Sequence, residues 1–156
     1  MKTEELLIRL KEILADEQIN TNEEDLYDAS ADRYKKYAKA RKVVDVPSPK
    51  AIVYPSSAVE VSEVMKFCNE NRINVIPRSG KTATEGGLEN WKEETIVLDA
   101  MNLNEIIKID EYNMQTTVQA GVILEDIEEE LRKRGYTVKP ILFEWKEIEE
   151  EVEKGK

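Results

Sequence analysis

Apolar residues recur at helical spacing in three segments of the chain. Residues 3–15 carry five of them on one stripe behind Thr3, a suitable N-terminal cap: Leu6, Leu7, Leu10, Ile13 and Leu14. Residues 56–72 begin with serines and have apolar residues at helical spacing up to Cys68. Residues 122–134 have an apolar stripe on one side and acidic residues on the other, and Gly135 follows them. The pattern predicts three amphipathic helices.

Short β-branched runs lie between these helices. They cover residues 51–54, 73–76, 95–98 and 106–109, while residues 114–119 alternate polar and apolar positions. We expect the first two strands to pair in parallel around the helix of residues 56–72, as a βαβ unit. Residues 110–113 should form a hairpin turn, and residues 136–138 a further short strand.

Two stretches are less regular. Residues 20–37 mix capping residues, acids and aromatics without a clear period, which predicts a short helix within irregular chain. Residues 142–156 are highly charged but repeat apolar positions, which predicts a surface helix. The sequence therefore predicts an α/β (α+β) fold: a small mixed sheet with a βαβ core and flanking helices.

Composition narrows the possible functions. A formal net charge of -10 argues against a nucleic-acid partner, because phosphate polyanions are bound by surplus lysine and arginine. Cys68 is the only cysteine and histidine is absent, so neither an internal disulfide nor a Cys/His zinc site can form. We expect a cytoplasmic protein without a signal peptide or membrane span, and no metal site, since its acid clusters are typical of solvated helix faces.

The loop of residues 77–87, PRSGKTATEGG, carries the clearest sign of chemistry. Consecutive N–H groups in a glycine-rich turn can form a nest for an anion. The triplet Gly80-Lys81-Thr82 is not the end of a Walker A motif, because that motif would need glycine at Val75. Cys68 is interpreted as a small core residue, since no histidine could activate it.

Five ordered features then resemble one family. They are a Pro-rich strand start, the P-S-S helix cap at residues 55–57, the loop V-I-P-R-S-G-K-T, the strand exit L-D-A-M-N-L-N, and the helix start A-G-V. Together they resemble the PCMH-type FAD-binding domain of the vanillyl-alcohol oxidase superfamily, in the glycolate oxidase and D-lactate dehydrogenase branch. Only the N-terminal half of that domain is matched.

The resemblance implies which residues hold a cofactor. In the family this loop wraps the FAD pyrophosphate, which implies binding by Pro77, Arg78, Ser79, Gly80, Lys81, Thr82, Ala83, Thr84, Gly86 and Gly87. Ser79, Lys81 and Ala83 stand where the family usually has glycine. If position 81 needs a positive φ, lysine there costs about 1 kcal/mol. FAD would be held non-covalently, because covalent attachment in the family commonly uses histidine.

We therefore predict an N-terminal helical extension (1–45), an FAD-binding subdomain (46–140) and a C-terminal helical tail (141–156). The function implied is the pyrophosphate-binding part of an FAD-dependent 2-hydroxy-acid oxidoreductase, completed by a second polypeptide or a missing C-terminal portion. No catalytic residue can be named. The alternative is a non-catalytic α/β interaction module that self-associates as a homo-oligomer.

Overall fold

The computed structural model describes residues 2–32 and 46–138. The chain divides into two compact units, Met1–Val122 and Ile123–Lys156. The described helices and strands of the first unit are α1 (Thr3–Lys11), β1 (Ile19–Asn20), α2 (Glu23–Asp28), β2 (Ala51–Val53), α3 (Ala58–Glu70), β3 (Asn74–Arg78), β4 (Thr95–Asp99), β5 (Ile106–Asp110) and β6 (Gln115–Val118), with short 3-10 helices at Asp16–Gln18 and Ala100–Asn102. The second contains α4 (Leu124–Arg132). No described helix is both long and apolar enough to cross a bilayer.

A mixed sheet organises the first unit. Its strand order is β1-β2-β4-β3, with β4 parallel to both neighbours and β1 antiparallel to β2. We predicted that β2 would pair directly with β3, and this was wrong: β4 lies between them. The strands do run parallel, but β4 is buried at every position and takes the centre of the sheet because it can be covered on both faces.

The two faces of this sheet have separate cores. On one face, alternate residues of β2 and β4 pack with α1 and α3; the buried set includes Leu6, Leu10, Val53, Val64, Phe67, Cys68, Ile96 and Leu98. The other face buries Ile52, Ile76 and Val97 against Ala29, with Leu26 and Leu88 alongside. The alternation of strand side chains explains why neighbours in sequence belong to different cores.

Helix starts follow local hydrogen bonding. The Ser57 hydroxyl accepts from the N–H of Glu60 at the start of α3, and the Asn22 side chain accepts from Glu24 and Asp25 at the start of α2. Thr3, predicted as a cap, is instead the first residue of α1. The cap position is Lys2, which makes no capping side-chain bond.

The predicted hairpin is confirmed. Strands β5 and β6 form a separate antiparallel pair, and the Asp110 carboxylate accepts from both the backbone and the side-chain amide of Asn113. The Lys108 ammonium lies 2.7 Å from the same carboxylate. These bonds, with Lys108 first, lower the pKa of Asp110 to about 2.

In the second unit, the helix predicted for residues 122–134 is present but shorter, as α4. Glu128 accepts bonds from Arg132, Thr137 and the N–H of Val138. The strand predicted for residues 136–138 is absent, because these residues follow the helix as irregular chain. The N–H of Tyr136 donates to the carbonyl of Leu131, and Thr137 and Val138 donate to Glu128. The helix predicted for residues 142–156 lies outside the described residues, as does the end of the segment 20–37.

Candidate active-site edge of the sheet

The carboxyl ends of β2, β3 and β4 meet at one edge of the sheet, since the three strands are parallel. Beyond this edge follow Tyr54 after β2, the loop of residues 79–87 after β3, and the 3-10 helix Ala100–Asn102 after β4. The Asn102 side chain donates to the carbonyl of Tyr54 over 3.0 Å. Open parallel sheets bind ligands outside the carboxyl ends of their strands, so this edge is the candidate site.

A buried ion pair lies at the mouth of this edge. Arg78 ends β3 and Asp99 ends β4, directly opposite in register. The Arg78 Nε lies 2.6 Å from the Asp99 Oδ2, with side chains 7% and 0% exposed. The other Asp99 oxygen accepts from the N–H of Met101. Both carboxylate oxygens are thus occupied by groups of the protein.

The loop after β3 presents unused donors. In the described part of the chain, the N–H groups of Gly80, Lys81 and Thr82 make no hydrogen bond. Lys81 has φ +56°, the left-handed conformation expected from the glycine that the family has there. When right-handed and left-handed backbone conformations alternate, consecutive N–H groups point toward one position, as in an anion nest.

The far end of the loop is tied to the body of the unit. The buried Asp32 carboxylate accepts from the N–H of Gly86 over 2.7 Å, and Gly86 has φ +90°. Asn90 is fully buried; its N–H donates to the carbonyl of Ser30, and its side-chain amide donates to the carbonyl of Pro47. The loop is therefore open in its middle and fixed at its end.

A cavity of about 350 Å³ lies between the loop and the end of α2. Its lining is Asp28, Ala29, Ala31, Arg78, Gly80, Lys81, Thr82 and Leu88. A smaller cavity of about 120 Å³ shares Arg78 and Lys81 and reaches Tyr54. Lys81, Arg78 and the free N–H donors suit a phosphate group at the loop side of these cavities, whereas Asp28 lines both cavities and Asp25 the smaller one. The apolar walls suit an adjoining part of a larger molecule.

The predicted loop residues fall into two groups. Arg78, Gly80, Lys81 and Thr82 line the cavity together. Pro77, Ser79, Thr84 and Gly87 are exposed, Ala83 is half-buried, and Gly86 donates to Asp32. Pro77 and Arg78 belong to β3 rather than to the loop. Whether any of the ten touches FAD stays a prediction.

Sequence reasoning missed the supports of this edge. Ala29, Ala31 and Leu88 line the cavity, and Asp32 and Asn90 hold the loop. None has a local pattern that would separate it from an ordinary loop residue. Asp99 did carry a signal, since it is the acid of the strand exit L-D-A-M-N-L-N, but no role was assigned to it.

The remaining reactive groups lie elsewhere. Cys68 is 1% exposed and lies in the core between α3 and the sheet, which confirms its interpretation as a core residue. Burial raises the pKa of its thiol to about 11. Within residues 2–32 and 46–138 no cluster of three or more Cys, His, Asp or Glu side chains could hold a metal ion.

Comparison with known proteins confirms the resemblance. The model of the FAD binding domain family matches residues 49–143. An uncharacterized FAD-linked oxidoreductase of Escherichia coli is 44% identical over 129 residues, which are 83% of this chain and 27% of that protein. A D-lactate dehydrogenase of Anaerostipes hadrus is 30% identical over 138 residues, 88% of this chain and again 27% of the relative.

A solved structure of alkyldihydroxyacetonephosphate synthase shares the fold, with a TM-score of 0.78 at 20% identity, over 88% of this chain and 26% of that one. The chain thus spans about a quarter of the length of the relatives it matches. The family match covers more than half of the chain and includes β2, β3, β4 and the loop after β3. The chain therefore belongs to the FAD binding domain family, and FAD is its cofactor.

Proposed function

We propose that the carboxyl edge of β2, β4 and β3 binds the pyrophosphate of FAD through Arg78 and the loop of residues 79–87. The observation that carries this proposal is the set of unused donors around one cavity. The N–H groups of Gly80, Lys81 and Thr82 make no hydrogen bond within the described residues, and two cations line the same space.

The residues present fit this group. An added Cβ at Gly80 would meet only the Thr82 methyl group, at 3.8 Å, so the backbone beside the cavity leaves open space for a phosphate oxygen. A dianionic pyrophosphate would meet the positive charge of Lys81 and the outer N–H donors of Arg78, whose own charge Asp99 already balances. The bound flavin would supply the redox chemistry, and these residues would hold and orient it.

The test is isothermal titration of the chain with FAD, ADP and adenosine. Gly80→Asp places a carboxylate beside the phosphate site, and the open space at Gly80 lets the chain keep its fold. We expect saturable FAD and ADP binding in the natural chain and a loss of at least tenfold in the variant. Ser62→Asp, on the exposed side of α3, is the charge-matched control and should bind like the natural chain. No binding by the natural chain would overturn the proposal.

We further propose that the complete enzyme oxidises a 2-hydroxy acid, because one relative is named a D-lactate dehydrogenase. The substrate site would come from polypeptide outside these 156 residues, as a continuing chain or a second subunit. D-Lactate should then leave the flavin of the FAD-loaded chain oxidised. Bleaching of the flavin absorbance by D-lactate would instead place a complete active site within this chain.

We also propose that the chain has a polypeptide partner and that it lies in the cytoplasm. If no further polypeptide joins, self-association as a homo-oligomer is the alternative, and analytical ultracentrifugation of the chain would separate the two. The single cysteine, buried in the core, is compatible with a reducing cytoplasm. Cell fractionation that finds the protein outside the cytoplasm would overturn that part.

A further inference from the structure

The ion pair between Arg78 and Asp99 is an unusual use of buried charge. Both side chains are more than nine-tenths buried, and they lie on neighbouring strands of the sheet. A buried ion pair adds little net stability, since desolvation offsets most of the attraction between the charges. Its presence at the carboxyl edge, rather than within the core, calls for a role at the site.

The two partners are engaged to different degrees. Asp99 uses one oxygen for the Arg78 Nε and the other for the N–H of Met101, so its carboxylate is held on both sides. Within the described residues Arg78 donates only through Nε, and its terminal nitrogens, Nη1 and Nη2, make no hydrogen bond. In the described part of the chain, every side-chain nitrogen that is fully buried has a hydrogen-bond partner. Because Nη1 and Nη2 have none, both are in contact with solvent. Arg78 lines both cavities.

We propose that Asp99 is a positioning residue that holds the Arg78 guanidinium by its Nε so that Nη1 and Nη2 serve as a fork for the ligand's phosphate oxygens. The inference rests on the proposed pyrophosphate site. An unrestrained arginine loses rotamer entropy when it binds, whereas a fork already held by its inner nitrogen loses less. The pair itself is neutral, so the gain comes from the direction of the hydrogen bonds rather than from net charge.

The test is a double-mutant cycle on FAD affinity with Asp99→Asn and Arg78→Met. The asparagine keeps an oxygen for the N–H of Met101 but loses the charge that holds Arg78. We expect Asp99→Asn to weaken FAD and ADP binding by about tenfold, the size of one charge-assisted hydrogen bond. On the Arg78→Met background it should change neither affinity, because Asp99 acts only through Arg78.

Adenosine separates positioning from a general loosening of the fold. It has no phosphate, so its affinity should be equal in all four proteins, whereas structural damage would lower it together with that of FAD. Unchanged or tighter FAD binding by Asp99→Asn, or additive effects of the two substitutions, would overturn the inference. If the natural chain binds neither FAD nor ADP, the proposed function fails first and this inference with it.

Arg78→Lys provides a second test if Asp99→Asn does not fold. Lysine keeps the positive charge, but its three donors radiate from one nitrogen, so an ammonium bonded to Asp99 cannot present donors from two further nitrogens in the plane of a fork. We expect FAD to bind about tenfold more weakly to this variant. Equal affinity would show that charge alone is sufficient and would overturn the role of Asp99.

Discussion

At the scale of single residues, the loop after β3 departs from its family at Lys81. The sequence analysis predicted strain at Lys81 if that position needs a positive φ, and its φ is +56°. The role of Arg78 could not be foreseen in the same way. Its family position indicated a loop residue at the cofactor, but only the pairing of β3 with β4 brings it against Asp99.

Lys81 combines strain with charge, and two substitutions separate them. Lys81→Gly should stabilise the cofactor-free chain by about 0.5–1 kcal/mol. The left-handed conformation costs L-residues about 1–2 kcal/mol, and the greater conformational entropy of glycine in the unfolded chain offsets part of the gain. Lys81→Ala should show no such gain because it keeps the Cβ. Urea denaturation without FAD measures both.

FAD titration of the same pair of variants then isolates the ammonium group. Both substitutions remove it from the cavity lining, so both should weaken FAD binding by a similar factor. Equal stability of the glycine and alanine variants would contradict the strain. FAD binding as tight as that of the natural chain would contradict a role for the charge.

At the scale of secondary-structure elements, apolar periodicity located most helices and strands of the described chain. It could not supply pairing, since which strands become neighbours depends on residues distant in sequence; β4 enters between β2 and β3 for this reason. It also failed at residues 136–138. A three-residue apolar alternation is too short to distinguish a strand from chain bonded to a helix side chain, here Glu128.

The Glu128 bonds make the end of α4 sensitive to acid. The bond from Arg132, followed by those from Thr137 and Val138, lowers the pKa of Glu128 from 4.5 to about 2. A folded-state pKa below the unfolded value means that the stabilisation is fully present above pH 4.5 and is lost as pH falls toward 2. We expect the amide of Val138 to lose its hydrogen-exchange protection over that range.

An NMR titration of the Glu128 carboxyl carbon should give the lowered pKa directly. Glu128→Gln is the control, because a neutral amide should leave the exchange of Val138 weakly protected and nearly independent of pH in that range. A midpoint near 4.5 in the natural chain would contradict the bonded carboxylate.

At the scale of the whole molecule, the fold class and the family followed from the sequence because five motifs keep their order along the chain. The supports of the site did not follow. Asp32 bonds Gly86 in the loop across 54 residues, and Asn90, just after the loop, bonds Pro47 across 43 residues. No local pattern indicates a contact at such separation. The edge of the sheet is a site because distant segments converge on it.

Cys68 allows the coupling between this edge and the rest of the first unit to be measured. Cys68 is 1% exposed in the core that α1 and α3 form on one face of the sheet, and the thiol pKa of about 11 leaves almost no thiolate near neutral pH. A thiol reagent should therefore react only after the unit opens. FAD bound at the carboxyl edge stabilises the closed state by mass action. At a free concentration one hundred times its Kd, FAD should slow labelling of Cys68 about 100-fold if opening is global.

Ser62→Cys in a Cys68→Ala background is the matched control, since it places a thiol on the exposed side of the same helix. That thiol should react rapidly and at the same rate with and without FAD. If FAD binds but leaves the labelling of Cys68 unchanged, α3 opens locally, and the two cores of the sheet are energetically independent. Labelling that is slowed about 100-fold would instead show that the core under α3 opens only together with the carboxyl edge that binds FAD. The central strand β4, which contributes to both cores and to that edge, would then be the element that couples them.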